Sequence, residues 1–253
     1  MADQIPDVSP SRDEATTRLG VPRPGGIYDP VARTLDAIGD RWSLVLVRHL
    51  LLGPRGFQDL RQRTGIAPRV LSSRLRDLRA DGFVESLESG GYQLTERGHS
   101  LEPIVSSIAR WFTRHGLDAL QLDISQFTET SPQSVLESLP FLLREQETNT
   151  ADVTFEIRLT GPGGGVWSVR IESGQCHVEQ GFAERADVRY TADAKVWCAM
   201  ALGLADARDL VKRGLVTKDG GPAAMDHYFH QISHPEPSPV AAERETTVDR
   251  STQ

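Results

Sequence analysis

Residues Pro68–Asp81 read PRVLSSRLRDLRAD, with a helical period sharp enough to organise what lies on either side. At that spacing Leu71, Leu75 and Leu78 share one face, with Val70 beside them, while Arg69, Ser72, Ser73 and Arg76 share the other. A helix buries the leucine face and leaves the Arg/Ser face outside. Pro68 suits the first turn, where its missing N–H costs nothing, and Gly82 stands where helices commonly stop. The outer face offers cationic forks and small hydroxyls, groups that hydrogen-bond to phosphates and base edges. A merely solvated face on an amphipathic helix is the alternative.

The neighbours discriminate. Upstream, Gly56–Thr64 (GFQDLRQRT) predicts a short helix with Phe57, Leu60 and Thr64 inward, and Gly65–Ala67 turns into the next helix. Downstream, Phe83–Leu87 and Gly91–Thr95 are strand-like, with Ser89, Gly90 and Gly91 marking a hairpin. Two helices joined by a tight turn and followed at once by a hairpin make a winged helix. Around this core, Val31–Ile38 predicts a helix with Val31, Leu35 and Ile38 inward, and Asp40 is placed to cap the next. Trp42–Leu52 is almost continuously apolar and central, with Trp42 expected in the core and Gly53–Pro54 ending the run. Glu96–Leu120 predicts one long helix striped by Leu101, Ile104, Val105, Ile108, Trp111 and Phe112, with Pro103 near its start. So small a domain has little core to receive that stripe, and a partner subunit suits it better.

On these residues the run Asp29–Gly98 resembles the HxlR-type winged helix–turn–helix transcription regulators, relatives of the MarR group. The matching stretches are DPVARTLDAIGDRWSLVLVRHLLLGPRGFQDL, GIAPRVLSSRLRDLRADGFV and YQLTERGHSLEPIV. The resemblance implies a homodimer built on terminal helices, reading two half-sites of a pseudo-palindromic duplex about 34–36 Å apart. Many such proteins hold a cysteine just before the Pro-Val of the first stretch; here Asp29 stands there, so a thiol switch at that site is not available.

The formal net charge of −7 looks wrong for contact with phosphates, but it is unevenly spread. Between Gly53 and Arg79 there are seven arginines against two aspartates, while from Gln121 onward twelve Lys/Arg face twenty Asp/Glu. A local basic patch is what phosphate contact requires. Arg61, Arg63 and Arg74, with Arg97 after the wing and Gly90 at its tip, are the candidate backbone contacts. Arg69, Ser72, Ser73 and Arg76 are the candidates for base readout.

After Leu122 the texture changes. Gln133–Leu143 predicts a helix; Val153–Leu159, Val166–Ile171, Cys176–Val178 and Val188–Thr191 predict strands, with Gly161–Gly165 as a hairpin turn. Lys195–Leu204 and Ala207–Arg213 predict helices, Leu215–Thr217 a last strand and Pro222–Ile232 a last helix. Strands first and helices after give an α+β domain with an antiparallel sheet. The runs GVWSVRIESGQCHVEQG, ADVRYTADAKVWCAMALG and VKRGLVTKDG resemble sterol carrier protein type two domains, over roughly Pro132–Ile232. That resemblance implies an apolar tunnel for a lipid-like molecule, with Phe155, Trp167, Val169, Trp197, Met200, Ala201, Met225 and Phe229 as candidate lining; the plain alternative is that they fill a core.

The expected organisation is a flexible arm over 1–26, a winged helix with its long dimerisation helix over 27–121, a linker over 122–131, the sterol-carrier-like domain over 132–233 and a disordered tail over 234–253. Cys176 and Cys198 have no metal or redox spacing, His227 and His230 lack a third ligand, and no nucleophile elbow appears, so no enzyme, metal or cofactor is expected. No apolar run approaches the ~20 residues of a membrane span and no secretory pattern opens the chain, which points to a cytoplasmic location. The resulting expectation is a dimeric DNA-binding transcription regulator governed by an apolar effector. The alternative is a lipid-binding protein whose winged helix serves protein contacts.

Overall fold

The structure, a computed structural model, describes residues 29–116 and 124–230. The expected arm and tail lie outside the described residues. The chain divides into two compact units, Met1–Val105 and Ser106–Gln253. The division falls earlier than the expected linker, and Phe127, from within that linker, packs into the core of the second unit.

The first unit runs α1 (Pro30–Ile38), α2 (Ser43–Leu51), α3 (Phe57–Thr64), α4 (Pro68–Ala80), the hairpin β1 (Val84–Ser86) and β2 (Tyr92–Leu94), then α5 (Glu96–His99) and the start of α6 (Glu102–His115). Leu71, Leu75 and Leu78 of α4 are buried with Leu46, Val47 and Leu50 of α2 and Leu60 of α3. Gly65 ends α3 in the left-handed region, φ 66°, a conformation that suits glycine. The wing is fastened at its base. Thr95 Oγ1 donates to the Gly82 carbonyl at 2.6 Å and accepts the Gly98 N–H at 3.1 Å. Arg55 and Tyr92 exchange backbone hydrogen bonds of 3.0 and 2.9 Å, tying β2 to the chain just before α3.

Three expectations need correction here. Only Ile38 of the inward triad on α1 is buried; Val31 and Leu35 are 65% and 56% exposed. Their spacing matched a buried stripe, but α1 turns Ala37 and Ile38 to the core instead. The helix over Glu96–Leu120 is two, because Pro103 has no N–H to give the His99 carbonyl, and the part beyond 116 lies outside the described residues. Trp42 is half-buried, with the Arg41 guanidinium 4.7 Å over its ring.

The second unit is a five-stranded sheet, β3 (Asp152–Thr160), β4 (Gly165–Glu172), β5 (Gln175–Gln180), β6 (Val188–Asp193) and β7 (Val216–Gly220), in the order β5-β4-β3-β6-β7. It is α+β, but the sheet is mixed: β3 and β6 pair in parallel, Ile157 opposite Tyr190, because the chain leaves edge strand β5 and crosses to the far side of β3. The other pairings are antiparallel. Alternation sends Phe155, Ile157, Trp167, Val169, Ile171 and Tyr190 to one face. The same buried cluster takes in Val135 and Leu136 of α7 (Ser131–Leu136), Trp197, Cys198 and Met200 of α9 (Ala194–Ala201) and Leu210 of α10 (Ala207–Lys212). The short α8 (Glu145–Thr148) and α11 (Met225–Tyr228) complete it.

Two predicted helices here are shorter than expected: Pro140 has no N–H to give the Leu136 carbonyl, and beyond it long-range pairing takes over. The helix over Gln133–Leu143 stops at Leu136 and resumes as a 3-10 turn over Leu139–Leu142, and the last helix ends at Tyr228. Leu143 and Phe229 are both extended and bridge one another. Arg144 N–H donates to the Tyr228 carbonyl at 2.9 Å, and His230 N–H donates to the Leu142 carbonyl at 2.8 Å. Pairing between residues 86 apart in number overrides local helical spacing.

Glu156 points to the other face of the sheet yet is buried. Its Oε1 accepts from Arg189 Nε at 2.7 Å and Arg158 Nε at 2.8 Å, and its Oε2 accepts the Ala183 N–H at 3.2 Å, which holds the β5–β6 crossing down. The Arg189 hydrogen bond, opposed by burial and aided by Arg158, keeps this carboxyl below its ordinary range. A carboxylate so depressed stabilises the fold above the unfolded-state value, near 4.5, and the contribution is lost as pH falls through the lower folded value. Glu156→Gln should lower stability in urea titration at pH 7 by roughly 1–3 kcal/mol, the range for breaking a buried hydrogen-bonded network. The difference between variant and wild type should shrink below pH ~4.5.

Candidate functional site

On α4 the buried leucines turn Arg69, Ser72, Arg76 and Arg79 to solvent, all four exposed, in one stripe along the helix. None of the three arginines has an ion-pair partner among the described residues. Ser73 sits half-buried at the margin. Arg79 was not among the expected readout residues, though its spacing of three from Arg76 was the signal for it.

The expected phosphate contacts separate into two kinds. Arg61 is exposed, its Nη1 donating to Gln58 at 3.4 Å, and Arg97, in the first turn of α5, lies 4.7 Å over the Phe83 ring. Arg63 and Arg74 are half-buried and held inside the unit. Arg63 Nε reaches Asp59 at 2.6 Å, and the same carboxylate takes Arg55 at 3.3 Å. Arg74 Nη1 reaches Asp77 at 3.1 Å and its Nε lies 3.6 Å from Asp40. Asp40 in turn accepts the Trp42 N–H at 2.9 Å, the Ser43 N–H at 3.3 Å and the Ser43 hydroxyl, so Arg74 joins α4 to the start of α2.

Beside the Asp59 pair lies His49, buried in α2, with its Nδ1 3.0 Å from Arg48 Nη1. Burial first, then the charges of Arg48, Arg63 and Arg55, push its pKa down to about 3, with Asp59 opposing. For Asp59, burial works against the charge, and the hydrogen bond and charge of Arg63 with those of Arg55 overcome it and lower the pKa. His49 therefore stays neutral and adds no charge to the arginines around it.

At the wing, Gly90 is exposed at the hairpin tip with φ 84°. From Phe83 to Thr95 the wing holds Glu85 and Glu88 and no lysine or arginine. Asp29, the residue just before Pro30, caps α1 by accepting the N–H groups of Val31 and Ala32 at 2.9 and 3.2 Å.

All eight candidate ligand residues of the second unit, Phe155, Trp167, Val169, Trp197, Met200, Ala201, Met225 and Phe229, come together in its buried apolar cluster. Cys198 lies among them, and burial, then Asp193, pushes its thiol up to about 12. Cys176 is raised by burial as well. His227 is spoken for by Glu147, at 3.0 Å. Among the described residues no three His, Cys, Asp or Glu side chains gather to hold a metal, and no helix is long and apolar enough to cross a membrane.

Comparison with known proteins divides the chain later than the compact units do, between residues 119 and 139. Residues 37–119 match the HxlR-like helix-turn-helix family, and residues 139–228 match the SCP-2 sterol transfer family. The HTH-type transcriptional regulator YybR of Bacillus subtilis (strain 168) is 38% identical over 89 residues, which cover 32% of this chain and 71% of that protein. YtcD of the same organism is 32% identical over 92 residues, covering 34% of this chain and 73% of that one. Among solved structures, the redox regulator HypR in its reduced form aligns with 36% identity over 36% of this chain and 99% of that chain, with a TM-score of 0.33. Sterol carrier protein 2 like 2 from Aedes aegypti aligns with 18% identity over 37% of this chain and 84% of that chain, with a TM-score of 0.30.

His49 gives a pH signature. The unfolded chain takes up a proton near pH 6.5, while the folded one resists until about 3, so stability should fall with pH between those values. The slope from this one group is at most ~1.4 kcal/mol per pH unit. Thermal melts between pH 7.5 and 5 should show His49→Gln losing less stability than wild type.

Proposed function

The chain belongs to the HxlR-like helix–turn–helix family and is a DNA-binding transcription regulator; we propose that it binds its operator as a homodimer and answers to an apolar ligand in its second unit. The observation that carries DNA reading is the stripe Arg69, Ser72, Arg76 and Arg79, exposed and free of ion pairs among the described residues on a helix whose opposite face is fully buried. Arg69 and Arg76 suit bidentate contact with guanine edges, and Arg61 and Arg97 suit phosphates. Arg63 and Arg74, engaged with Asp59, Asp40 and Asp77, serve first to hold α3 and α4 in place. The wing approaches through the backbone around Gly90, since its side chains offer carboxylates.

Dimerisation is supported by α6. Ile104, Ile108, Trp111 and Phe112 are 37%, 50%, 62% and 38% exposed, a continuous apolar stripe on a helix of fourteen residues. The partner proposed for it is a second copy of the chain, giving two recognition helices about one DNA turn apart. A ligand is supported by the gathering of eight apolar side chains, four of them aromatic and two of them methionines, between sheet and helices. Its influence on DNA requires that it favour one dimer geometry over another. Cytoplasmic location follows from the proposed role.

Binding to the chain's own promoter DNA, followed by fluorescence anisotropy across a salt series, tests the central reading. Arg76→Ala should lose ~1–3 kcal/mol on the specific site and little on random duplex. Arg74→Ala should instead lower melting temperature while leaving the specificity ratio near wild type. Equal loss on both DNAs for Arg76→Ala would make it a phosphate contact. Absence of any salt-dependent binding would return the chain to the lipid-binding alternative.

The dimer has its own measurement. Trp111→Glu should shift the sedimentation coefficient toward that of a monomer, and with it the affinity for a two-half-site duplex should fall by at least tenfold, since the second half-site no longer adds its contacts.

A further inference from the structure

Among the described residues, one buried side-chain nitrogen or oxygen has no hydrogen-bond partner: Nε1 of Trp197. The residue is wholly buried in α9. Its ring lies 6.0 Å from that of Tyr190, Tyr190 lies 6.2 Å from Phe155, and Phe155 lies 5.9 Å from Tyr228. The indole thus ends a run of four aromatic rings under the sheet. A buried N–H without a partner has given up water for nothing, and phenylalanine would fill much of the same space without that loss. A donor kept in such a place has to be explained.

The surroundings restrict what can meet it. Among the described residues no lysine or arginine is buried. Glu156, with Arg158 and Arg189, lies on the opposite face of β3 from Phe155 and Ile157. Arg144 gives its Nε to the Phe229 carbonyl. The charges that reach Tyr190 and Cys198 are acidic. Burial, then Asp226, pushes the Tyr190 hydroxyl up to about 12 despite the Met225 N–H it accepts, and Asp193 acts alike on Cys198. An anion buried there would meet no countercharge, and an unpaired buried carboxylate is far costlier than a neutral oxygen. A pure hydrocarbon, in turn, would leave the indole N–H as it is.

We propose that the Trp197 indole N–H is the polar anchor of the second unit's ligand site, and that the ligand is a neutral, mainly apolar molecule bearing a carbonyl or ether oxygen, such as an acyl ester or a long-chain ketone. This rests on the reading that the second unit binds an apolar ligand, and it narrows that reading. Free fatty acids and plain alkanes are the compounds it disfavours.

The full-length protein, stripped of bound lipid, is tested by displacement of Nile red with methyl hexadecanoate, hexadecanoic acid at pH 8 and hexadecane. The ester should bind about fivefold tighter than hexadecane, the net worth of one neutral hydrogen bond, and roughly tenfold or more tighter than the acid. In Trp197→Phe the ester should fall to the level of hexadecane, while the ligand-free variant melts no lower than wild type. In the wild type, the indole ¹H–¹⁵N resonance absent from Trp197→Phe should move downfield with the ester and not with hexadecane; this measurement stands even if the variant folds poorly. An ester-to-alkane ratio unchanged in Trp197→Phe, or an indole resonance indifferent to the ester, would mean that buried water or nothing meets the N–H, and would overturn the anchor. Acid binding as tight as ester would overturn the neutral class. No displacement by any of the three would overturn the apolar-ligand reading itself and this inference with it.

Discussion

The burial of Leu71, Leu75 and Leu78 is the constraint on which the first unit depends. Each fully buried leucine contributes about 1.5–3 kcal/mol, whereas a surface ion pair contributes about 0–1. The leucines therefore decide how α4 is rotated, and at 100° per residue that rotation also decides what faces out. A slip of one position would drive an arginine into the core and expose a leucine. The same three contacts that fold the unit thus aim Arg69, Ser72, Arg76 and Arg79. The Arg74 link to Asp40 then fixes the helix against the start of α2, a secondary effect on an orientation already chosen.

That hierarchy explains what was legible in the sequence. The recognition helix, the turn before it and the wing are all written in local periodicity and glycine placement, and their bounds match within a residue or two. The function of individual arginines was not. Arg63 and Arg74 look like Arg61 and Arg76 as letters in a basic run, and only three-dimensional partners separate them, Asp59 for one and Asp40 with Asp77 for the other. His49 was invisible for the same cause: a histidine in an apolar helix says nothing of the arginines that α3 and its approach bring beside it.

In the second unit the strands could be read because alternation is local, and the end of the last helix could not because it is set by Phe229 pairing with Leu143. The parallel pair β3–β6 is likewise a property of the crossing, not of any strand. Glu156 shows the limit most clearly. Its place between Phe155 and Ile157 predicts an outward side chain, correctly, and an outward glutamate is ordinarily solvated. Here the crossing loop returns over it through the Ala183 N–H, so the carboxylate becomes a buried junction for two strands and a loop. Trp197 is the converse case. Its burial was expected from an apolar helix, but that its nitrogen would find no partner follows only from the positions of everything around it.

The net charge of −7 is compatible with DNA binding because local charge, not the total, acts on a phosphate. At physiological ionic strength exposed charges are screened over about 8 Å. A phosphate touching α4 would therefore feel Arg69, Arg76 and Arg79 above all, each within a turn or two of the next, and the total of −7 does not measure that local balance. The carboxylates that do lie close by, Asp59 and Asp77, are already engaged by Arg55, Arg63 and Arg74, so what they neutralise is the inner set of arginines and not the outer one. The wing carboxylates Glu85 and Glu88 are the exception, exposed and near α4 in sequence, and they are the reason the proposed wing contact is assigned to shape and backbone rather than to charge.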